Sequence, residues 1–487
     1  MVKSHVDGKR TKIVATIGPS SQSEDTLRAM ICAGMDVARV NFSHGDHETH
    51  RGNIERVRRI AEEEGVVVAV MCDIQGPKIR IGKVANEPLD VKQGDEITFT
   101  LDDVPGENGI ISLPHPEFIK DINAGMHLLL DDGNLDFVVE QASARKLVCK
   151  VVVGGHLSSR KGVSAPMARL SLSAITDKDR ADIEFALAQN TDYIAMSFVR
   201  SQEDIRELRW LIRHLGGEAG IIAKIEKHEA LENIEEIIAI SDGIMVARGD
   251  LGVETPAEEV PYQQKRIIHL CNDASKPVIT ATQMLSSMVD NPRPTRAEAS
   301  DVFNAIVDGT DAVMLSNETA AGHYPVEAVK TMAKIAVIAE QSIWTSRSIN
   351  RQFAPITQKG HEAISNAVSQ ATYQIADILD TKAIVTSTLT GYTSRLVARG
   401  RPHTPILCVT PNNITYRRMA LVWGVTPLLI QQFSSIDEMI ASVVKAALEA
   451  GLATHGDSLV IIAGVPFGVG GQTNFLKIHV VGELGEA

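Results

Sequence analysis

The sequence predicts a (β/α)8 barrel with a small β-barrel lid domain inserted in one loop and an open α/β sheet domain behind it. Three observations carry that expectation. Eight short apolar or β-branched runs alternate with helical segments over about 250 residues, once one insertion is set aside. The insertion, between the third and fourth runs, is rich in turns and short alternating strands. After about Ser346 the alternation starts again.

The runs are Lys12–Thr16, Asp36–Val40, Val66–Met71, Tyr193–Met196, Ile221–Ile225, Gly243–Val246, Pro277–Thr280 and Ala312–Leu315. A helix with Leu27, Met30 and Ile31 on one face precedes the second run. Another, with Ile54, Val57, Ile60 and Ala61 in phase, precedes the third. Strands separated by helices pair in parallel. The insertion carries turn signals at Gln93-Gly94-Asp95, Pro105-Gly106 and Asp132-Gly133-Asn134, with strands at Asp136–Glu140 and Leu147–Val153, and reads as all-β. It follows a strand end, so it hangs over the active-site face as a lid. The C-terminal part offers a helix Glu362–Leu379, with Ile364, Val368, Ala371, Ile375 and Ile378 in phase. Strands are expected there at Ala383–Val385, Pro405–Val409, Thr426–Ile430, Leu459–Ile462 and Phe475–Val481. The expected division is therefore 1–81 with 166–345 for the barrel, 82–165 for the lid and 346–487 for the C-terminal domain.

Composition narrows the function. A chain of 487 residues, 44% hydrophobic, buries several cores without staples. With 48 basic against 61 acidic residues the net charge is −13, which disfavours nucleic acid or an anionic membrane as partner. Aromatics at 4% leave little for stacking on single-stranded bases. Cys32, Cys72, Cys149, Cys271 and Cys408 show no zinc or redox spacing and read as buried free thiols in a reducing compartment. No apolar run approaches the roughly 18 residues of a membrane span, and the first residues lack a secretory signal's apolar core. A cytoplasmic location is the expectation.

The barrel's strand ends hold the chemistry. Arg39 and Asn41 flank Val40, Asp73 follows Met71, and Lys224 and Glu226 follow Ala223. Arg248 and Asp250 follow Val246, Thr282 and Gln283 follow Ile279, and Ser316 and Glu318 follow Leu315. Residues two apart on a strand project together, so Arg39/Asn41, Lys224/Glu226 and Arg248/Asp250 are expected as pairs. Glu226 and Asp250 are hard oxygen ligands suited to Mg²⁺ or Mn²⁺. Arg39, Arg80 and Lys224 can neutralise phosphate or an enolate. Two carboxylates among several cations suit phosphoryl transfer better than hydrolysis, which needs a base such as His. Lys224 could instead form a Schiff base, but Glu226 beside it would hold the ammonium charged. Gly249 would let backbone approach a substrate carboxylate, or would simply serve a turn.

These residues sit in a set of stretches that resembles the pyruvate kinase family nearly end to end. They are TKIVATIGPSS, DVARVNFSHG, CDIQGPKIR, KGVSAP, AKIEKHE, GIMVARGDLGVE, ITATQMLSSM, PTRAEASDV and DAVMLSNETAAGHYP, in that order. The resemblance implies a barrel, a lid and a C-terminal α/β domain, and phosphoryl transfer from phosphoenolpyruvate to ADP to give pyruvate and ATP. It implies Glu226 and Asp250 as Mg²⁺ ligands and Arg39 as a phosphate contact. It implies Gly249, Asp250 and Thr282 around the substrate carboxylate, and Lys224 as the cation on the phosphoryl group and enolate. Asn41, Phe42, Ser43 and His44, with Arg80 and Lys161, then form the nucleotide side, where a second Mg²⁺ arrives. It also implies a homotetramer.

The family's K⁺ site would fall on Asn41, Ser43, Asp73 and the Ile74 carbonyl. K⁺-requiring members read Thr-Lys-Gly-Pro-Glu after the aspartate, whereas this chain reads Ile74-Gln75-Gly76-Pro77-Lys78. Lys78 in place of glutamate resembles members that work without K⁺, its tethered ammonium supplying the charge. In the C-terminal domain, Thr388-Leu389-Thr390-Gly391-Tyr392-Thr393 resembles the family's phosphate loop for allosteric sugar phosphates. The partner loop, Gly464 to Gly471, lacks the Trp and Arg of fructose-1,6-bisphosphate-responsive animal forms, so a monophosphorylated sugar or nucleoside monophosphate fits better. A metal-dependent enolate lyase or aldolase, or a non-enzymatic metabolite sensor, are the rival readings. The first leaves Arg80 and Lys161 without a purpose, and the second leaves Lys224, Glu226, Asp250 and Thr282 unexplained.

Overall fold

The computed structural model describes residues 8–166, 168–347, 359–466 and 472–483. Eight parallel strands close into a barrel: β1 (Lys12–Thr16), β2 (Val37–Asn41), β3 (Ala69–Ile74), β4 (Tyr193–Met196), β5 (Gly220–Ile225), β6 (Gly243–Ala247), β7 (Val278–Ala281) and β8 (Ala312–Leu315). Closure comes from β8 returning to β1, with Lys12 opposite Ala312 and Ala15 opposite Leu315. Strand alternation divides the apolar residues between two cores. Val14, Val37, Ala69, Met71, Ile222, Met245 and Ile279 fill the interior. Ile13, Ala15, Ala38, Val70, Cys72, Ile221 and Ile244 face the surrounding helices. The third run begins three residues later than expected and reaches Ile74, which puts Asp73 on the strand itself.

The first two helices begin where side-chain oxygens satisfy their first amides. Ser23 caps Glu24–Cys32, and Asp46 caps His47–Glu64, which ends at Gly65 in the left-handed region (φ 68°). Their buried residues include the expected Leu27, Met30 and Ile31, and Ile54, Val57, Ile60 and Ala61. Cys32 is the exception among the cysteines: it is exposed at a helix end, while the other four are buried.

The inserted segment enters and leaves side by side. Ile81 N–H donates to the Lys161 carbonyl at 3.1 Å and Val163 N–H to that of Ile79 at 3.0 Å. Its strands form a six-stranded sheet running Val163–Ser164, His127–Leu130, Leu135–Ala142, Lys146–Val153, Glu96–Thr100, Ile110–Ser112, beside a two-stranded ribbon, Leu89–Val91 with Gly155–Leu157. The expected small barrel is thus a curled sheet whose outer strands do not pair with each other. It is wrapped on a core that includes Phe99, Phe118 and Phe137. The segment is also not purely β: a six-residue helix, Pro116–Asp121, delivers Phe118 into that core.

The C-terminal domain is an open sheet of β9 (Ala383–Ser387), β10 (Ile406–Thr410), β11 (Val425–Leu429), β12 (Ser458–Ala463) and β13 (Phe475–Val480). The order is β11-β10-β9-β12-β13, all parallel except the antiparallel edge strand β13. The helix Gly360–Ile378 reverses one expectation: it buries Ser365, Asn366, Ser369, Thr372 and Ala376, while Ile364 and Ile378 are 48% and 79% exposed. Hydrogen bonds decide its orientation. Ser369 Oγ donates to the Leu396 carbonyl (2.9 Å), Arg399 to Asn366 Oδ1 (2.8 Å) and Thr473 N–H to Ser365 Oγ (2.9 Å). Unmade, those bonds would each leave a buried polar group orphaned.

This domain docks under the barrel floor. Ala420 and Leu421 complete the barrel's interior core from below. Asp311, just before β8, accepts from Arg401 (2.9 Å), from Trp423 N–H (3.2 Å) and from Val278 N–H (3.1 Å). Asp192 receives Arg417 (2.6 Å), and Tyr193 donates its hydroxyl to the Arg418 carbonyl (3.0 Å). Replacing Asp311 with alanine strips a buried guanidinium of its carboxylate and is expected to destabilise by about 3–5 kcal/mol. A urea titration followed by tryptophan fluorescence should show a clear drop in midpoint; an unchanged midpoint would contradict the role given to this clamp.

Candidate active site

The mouth of the barrel is organised around Asp73. Its register neighbours on β2 and β4 are Asn41 and Ala195, so the groups at the ends of those strands surround it. Arg39 Nε donates to Asp73 Oδ2 at 2.7 Å, and Arg39 Nη1 to Thr16 Oγ1 at 2.9 Å. Lys224 Nζ, on β5, lies 2.7 Å from Ser197 Oγ, 2.9 Å from Glu226 Oε1 and 3.3 Å from Asp73 Oδ1. Ser197 Oγ donates to the Ile74 carbonyl (2.7 Å), and Phe198 N–H donates to Glu226 Oε2 (2.7 Å). Asp73 and Glu226 are 1% exposed, Arg39 7% and Lys224 9%.

Burial raises the cost of every charge here, so their partners set their states. Burial alone would push Asp73 up, but Lys224 and Arg39 override it and hold the carboxyl below its ordinary range. Burial would pull Lys224 down, but Asp73 and Glu226 win and hold its ammonium above the ordinary lysine value. A lysine so held is a cation and a poor amine nucleophile, which removes the Schiff-base reading. Glu226 goes the other way: burial lifts it, Lys224 opposes, and the charge of Asp250 lifts it further. Two carboxylates that repel each other beside one ammonium form a place where a divalent cation relieves strain, and Mg²⁺ fits that donor set. Among the described residues no group of three or more His, Cys, Asp or Glu is placed to hold a metal, so substrate and water oxygens must complete any shell.

Asp250 does not pair with Arg248 in space. The chain turns into the helix Arg248–Glu254 straight after β6, so the two side chains diverge. Arg248 runs back to Asp301 (2.8 Å) and to the Thr282 carbonyl (2.7 Å), fixing that helix, while Asp250 stays exposed in the cleft. Gly249 N–H donates to Thr282 Oγ1 at 2.8 Å. Gly249 is outside the left-handed region, and an added Cβ would face the Thr282 hydroxyl at 3.5 Å. That is ordinary van der Waals contact, so the packing around Gly249 does not by itself require glycine. Thr282 and Gln283 have φ of 66° and 53°, and Phe198 has 56°. Such backbone is costly for residues with a Cβ, and here it clusters at two strand ends of one mouth.

The remaining expected residues lie around this centre. Asn41 Oδ1 accepts from Ser43 N–H (3.1 Å), and His44 is exposed. The Phe42 ring is buried against His47, His50 and Phe185, so this side chain anchors the loop. Arg80 donates to the Arg160 carbonyl (2.7 Å) and Lys161 pairs with Asp131 (2.6 Å), both at the root of the lid. Lys78 is exposed on the wall of the cleft between barrel and lid, and its ammonium has no hydrogen bond or ion pair among the described residues. Glu318, expected at the mouth, instead accepts from Leu285 and Ser316 amides and is structural. In the C-terminal domain Thr388 Oγ1 accepts from Gly391 N–H (3.0 Å), Gly391 has φ 77°, Tyr392 is half-buried, and Thr393 is buried on Thr473 (2.8 Å). Leu389 and Thr390 give their carbonyls to Thr415 and Arg395. The partner loop lies, from Phe467 to Gly471, outside the described residues.

Ser197 and Thr16 were not anticipated. They end the fourth and first apolar runs, the two strand ends whose hydroxyl signals are quietest beside their charged neighbours. Lys227, bonded to Glu254 (2.5 Å) and over the Phe198 ring, was likewise passed over in the AKIEKHE stretch.

The family model for the pyruvate kinase barrel domain matches residues 8–329, and that for the pyruvate kinase alpha/beta domain matches residues 366–479. The chain belongs to the pyruvate kinase family. It is 48% identical to a pyruvate kinase of Geobacillus stearothermophilus over 479 residues, 98% of this chain and 81% of that protein. It is 48% identical to pyruvate kinase 2 of Synechocystis sp. over 477 residues, covering 97% and 79%. A Staphylococcus aureus pyruvate kinase is 44% identical over 98% of this chain and 81% of its own length. The closed barrel and the C-terminal α/β domain are the fold of that family, and the chain is a phosphotransferase.

Lys224→Met keeps the side chain's length and removes its charge. Losing such a contact in the transition state is expected to lower kcat by about 10²–10³ while phosphoenolpyruvate binding changes little. Steady-state kinetics with a direct binding measurement separates the two, and a variant with parental kcat would refute the role.

Proposed function

We propose that the chain transfers a phosphoryl group from phosphoenolpyruvate to ADP, with Mg²⁺ held by Glu226 and Asp250, without need of K⁺, in the cytoplasm. The single observation that supports it most is the buried Lys224 ammonium seated between Asp73 and Glu226, with Asp250 across from it. Mg²⁺, when bound there, supplies Lewis-acid charge for the substrate's oxygens. Lys224 lies against the bridging oxygen of the substrate and stabilises the enolate as the phosphorus–oxygen bond breaks. Opposite charges about 4 Å apart contribute roughly 4 kcal/mol at an effective dielectric of about 20. Arg39, fixed by Asp73 and Thr16, contacts the phosphoryl group. The Gly249 and Asp250 amides and the Thr282 hydroxyl hold the carboxylate, and Thr282 stands near the carbon that takes up a proton. Asn41 to His44, Arg80 and Lys161 serve the nucleotide, and the lid of residues 82–165 closes over the mouth set by 1–81 and 166–345.

Lys78 supports K⁺ independence: its ammonium is unpaired among the described residues on the wall of the cleft between barrel and lid, and Asp73 and the Ile74 carbonyl are already engaged by Lys224, Arg39 and Ser197. A homotetramer is supported by the exposed Ile364, Ile378 and Leu379 of one C-terminal helix and its next residue, and by Ile478 on the edge strand β13. A phosphorylated effector at Thr388–Thr393, in the domain of residues 346–487, regulates the enzyme. Pyruvate formation should require both ADP and Mg²⁺ and should run at full rate in tetramethylammonium buffer free of Na⁺ and K⁺. Pyruvate made without ADP would sink the transfer reading. A stimulation of about tenfold or more by added K⁺ would sink the proposal for Lys78 alone.

A further inference from the structure

A second cavity lies on the opposite side of the barrel from the mouth, between the barrel floor and the C-terminal domain. At about 310 Å³ it reaches the size of small-ligand sites. The floor contributes Tyr193 at the start of β4 and Lys276 just before β7; the C-terminal domain contributes Arg395 and Arg418.

The cations here are poorly compensated. Arg395 makes one hydrogen bond among the described residues, to the Thr390 carbonyl (3.1 Å). Arg418 spends Nε on the Asp192 carbonyl (3.2 Å), and its buried Nη2 has no hydrogen-bond partner. Lys276 caps the Ser241 carbonyl (2.6 Å). The acids of the cavity do not neutralise them. Asp242 is engaged by Arg209 (2.8 Å) and by Ile221 N–H (2.8 Å), and Glu218 sits exposed at the rim. Burial lowers the pKa of Arg395 and Lys276; Asp242 opposes, while Arg418 depresses Arg395 further and Arg395 depresses Lys276. Mutually repelling cations, one with an orphaned N–H, around a partly enclosed space are a binding site in want of an anion.

We infer that this interdomain cavity binds a phosphate monoester, its dianion gripped by Arg395, Arg418 and Lys276 and its organic part resting on Pro277, Ile414 and Met419. Guanidinium forks match phosphate oxygens in pairs, and three cations suit a dianion better than a lone carboxylate. The site is separate from the Thr388–Thr393 loop, of which only Leu389 and Thr390 reach the cavity. Its position carries a consequence. Asp242 and Lys276 stand before β6 and β7, whose far ends hold Gly249, Asp250 and Thr282. An occupant therefore ties the C-terminal domain to the two strands that aim those groups.

Isothermal titration of the intact protein, with Mg²⁺, oxalate and ATP filling the active site, tests this with inorganic phosphate, glucose 6-phosphate and AMP as probes. Saturable binding of either monoester is expected, weakened about tenfold or more by Arg418→Gln and by Lys276→Met and kept by Thr388→Ala. Circular dichroism and thermal melting identify any variant that fails to fold, and the two cavity variants back each other up. No monoester binding, monoester binding no tighter than that of inorganic phosphate, or equal binding by the folded cavity variants and the parent would overturn the inference.

Discussion

The buried contact between the Lys224 ammonium and the carboxylates of Asp73 and Glu226 is the constraint on which the mouth of the barrel depends. None of these charges could stay buried alone, since the desolvation cost of one ion amounts to several kcal/mol. Together they hold each other ionised, and Arg39 and Ser197 complete the set. The balance is deliberately incomplete on one side. Glu226 faces the further negative charge of Asp250, and the Lys224 ammonium beside it is shared with Asp73. The apparatus is thus arranged for a divalent cation and an anionic ester to finish it, the condition under which preorganised charge contributes most to a transition state.

Closure of the barrel makes that contact possible. Groups from β2, β3 and β5 and from the ends of β4, β6 and β7 meet only because β8 returns to β1 and curls the sheet through a full circle. The floor of the same cylinder is occupied by a different domain, with Ala420 and Leu421 as its plug and Asp311 and Asp192 as its polar anchors. Mouth and floor are joined by strands of only four to six residues. A force applied at the floor therefore has a short, stiff path to Gly249 and Thr282.

Much of this was legible in the sequence, for a physical reason. A buried parallel strand is an unbroken apolar run, and a polar residue at its C-terminal end stands out against it, as Asp73, Lys224 and Glu226 do. The same reasoning failed for Arg248 and Asp250, because two-residue spacing projects together only while the chain stays extended, and it coils at Arg248. It also passed over Thr16 and Ser197, small hydroxyls whose importance comes from the charges brought to them from other strands. The apolar stripe of the helix Gly360–Ile378 pointed the wrong way for a single chain. Its Ser, Asn and Thr face is drawn inward by specific hydrogen bonds that periodicity does not register. Nor could alternation alone say that the lid's outer strands stay apart; that depends on where Phe99, Phe118 and Phe137 let the sheet curl.

The central claim is that Glu226 and Asp250 flank one divalent ion beside the Lys224 ammonium. Anomalous diffraction from crystals grown with Mn²⁺ and oxalate addresses it most directly. The account requires a single strong peak within bonding distance of both carboxylates, with Lys224 in contact with the oxalate. A peak bound elsewhere in the barrel, or one that engages neither carboxylate, would contradict it.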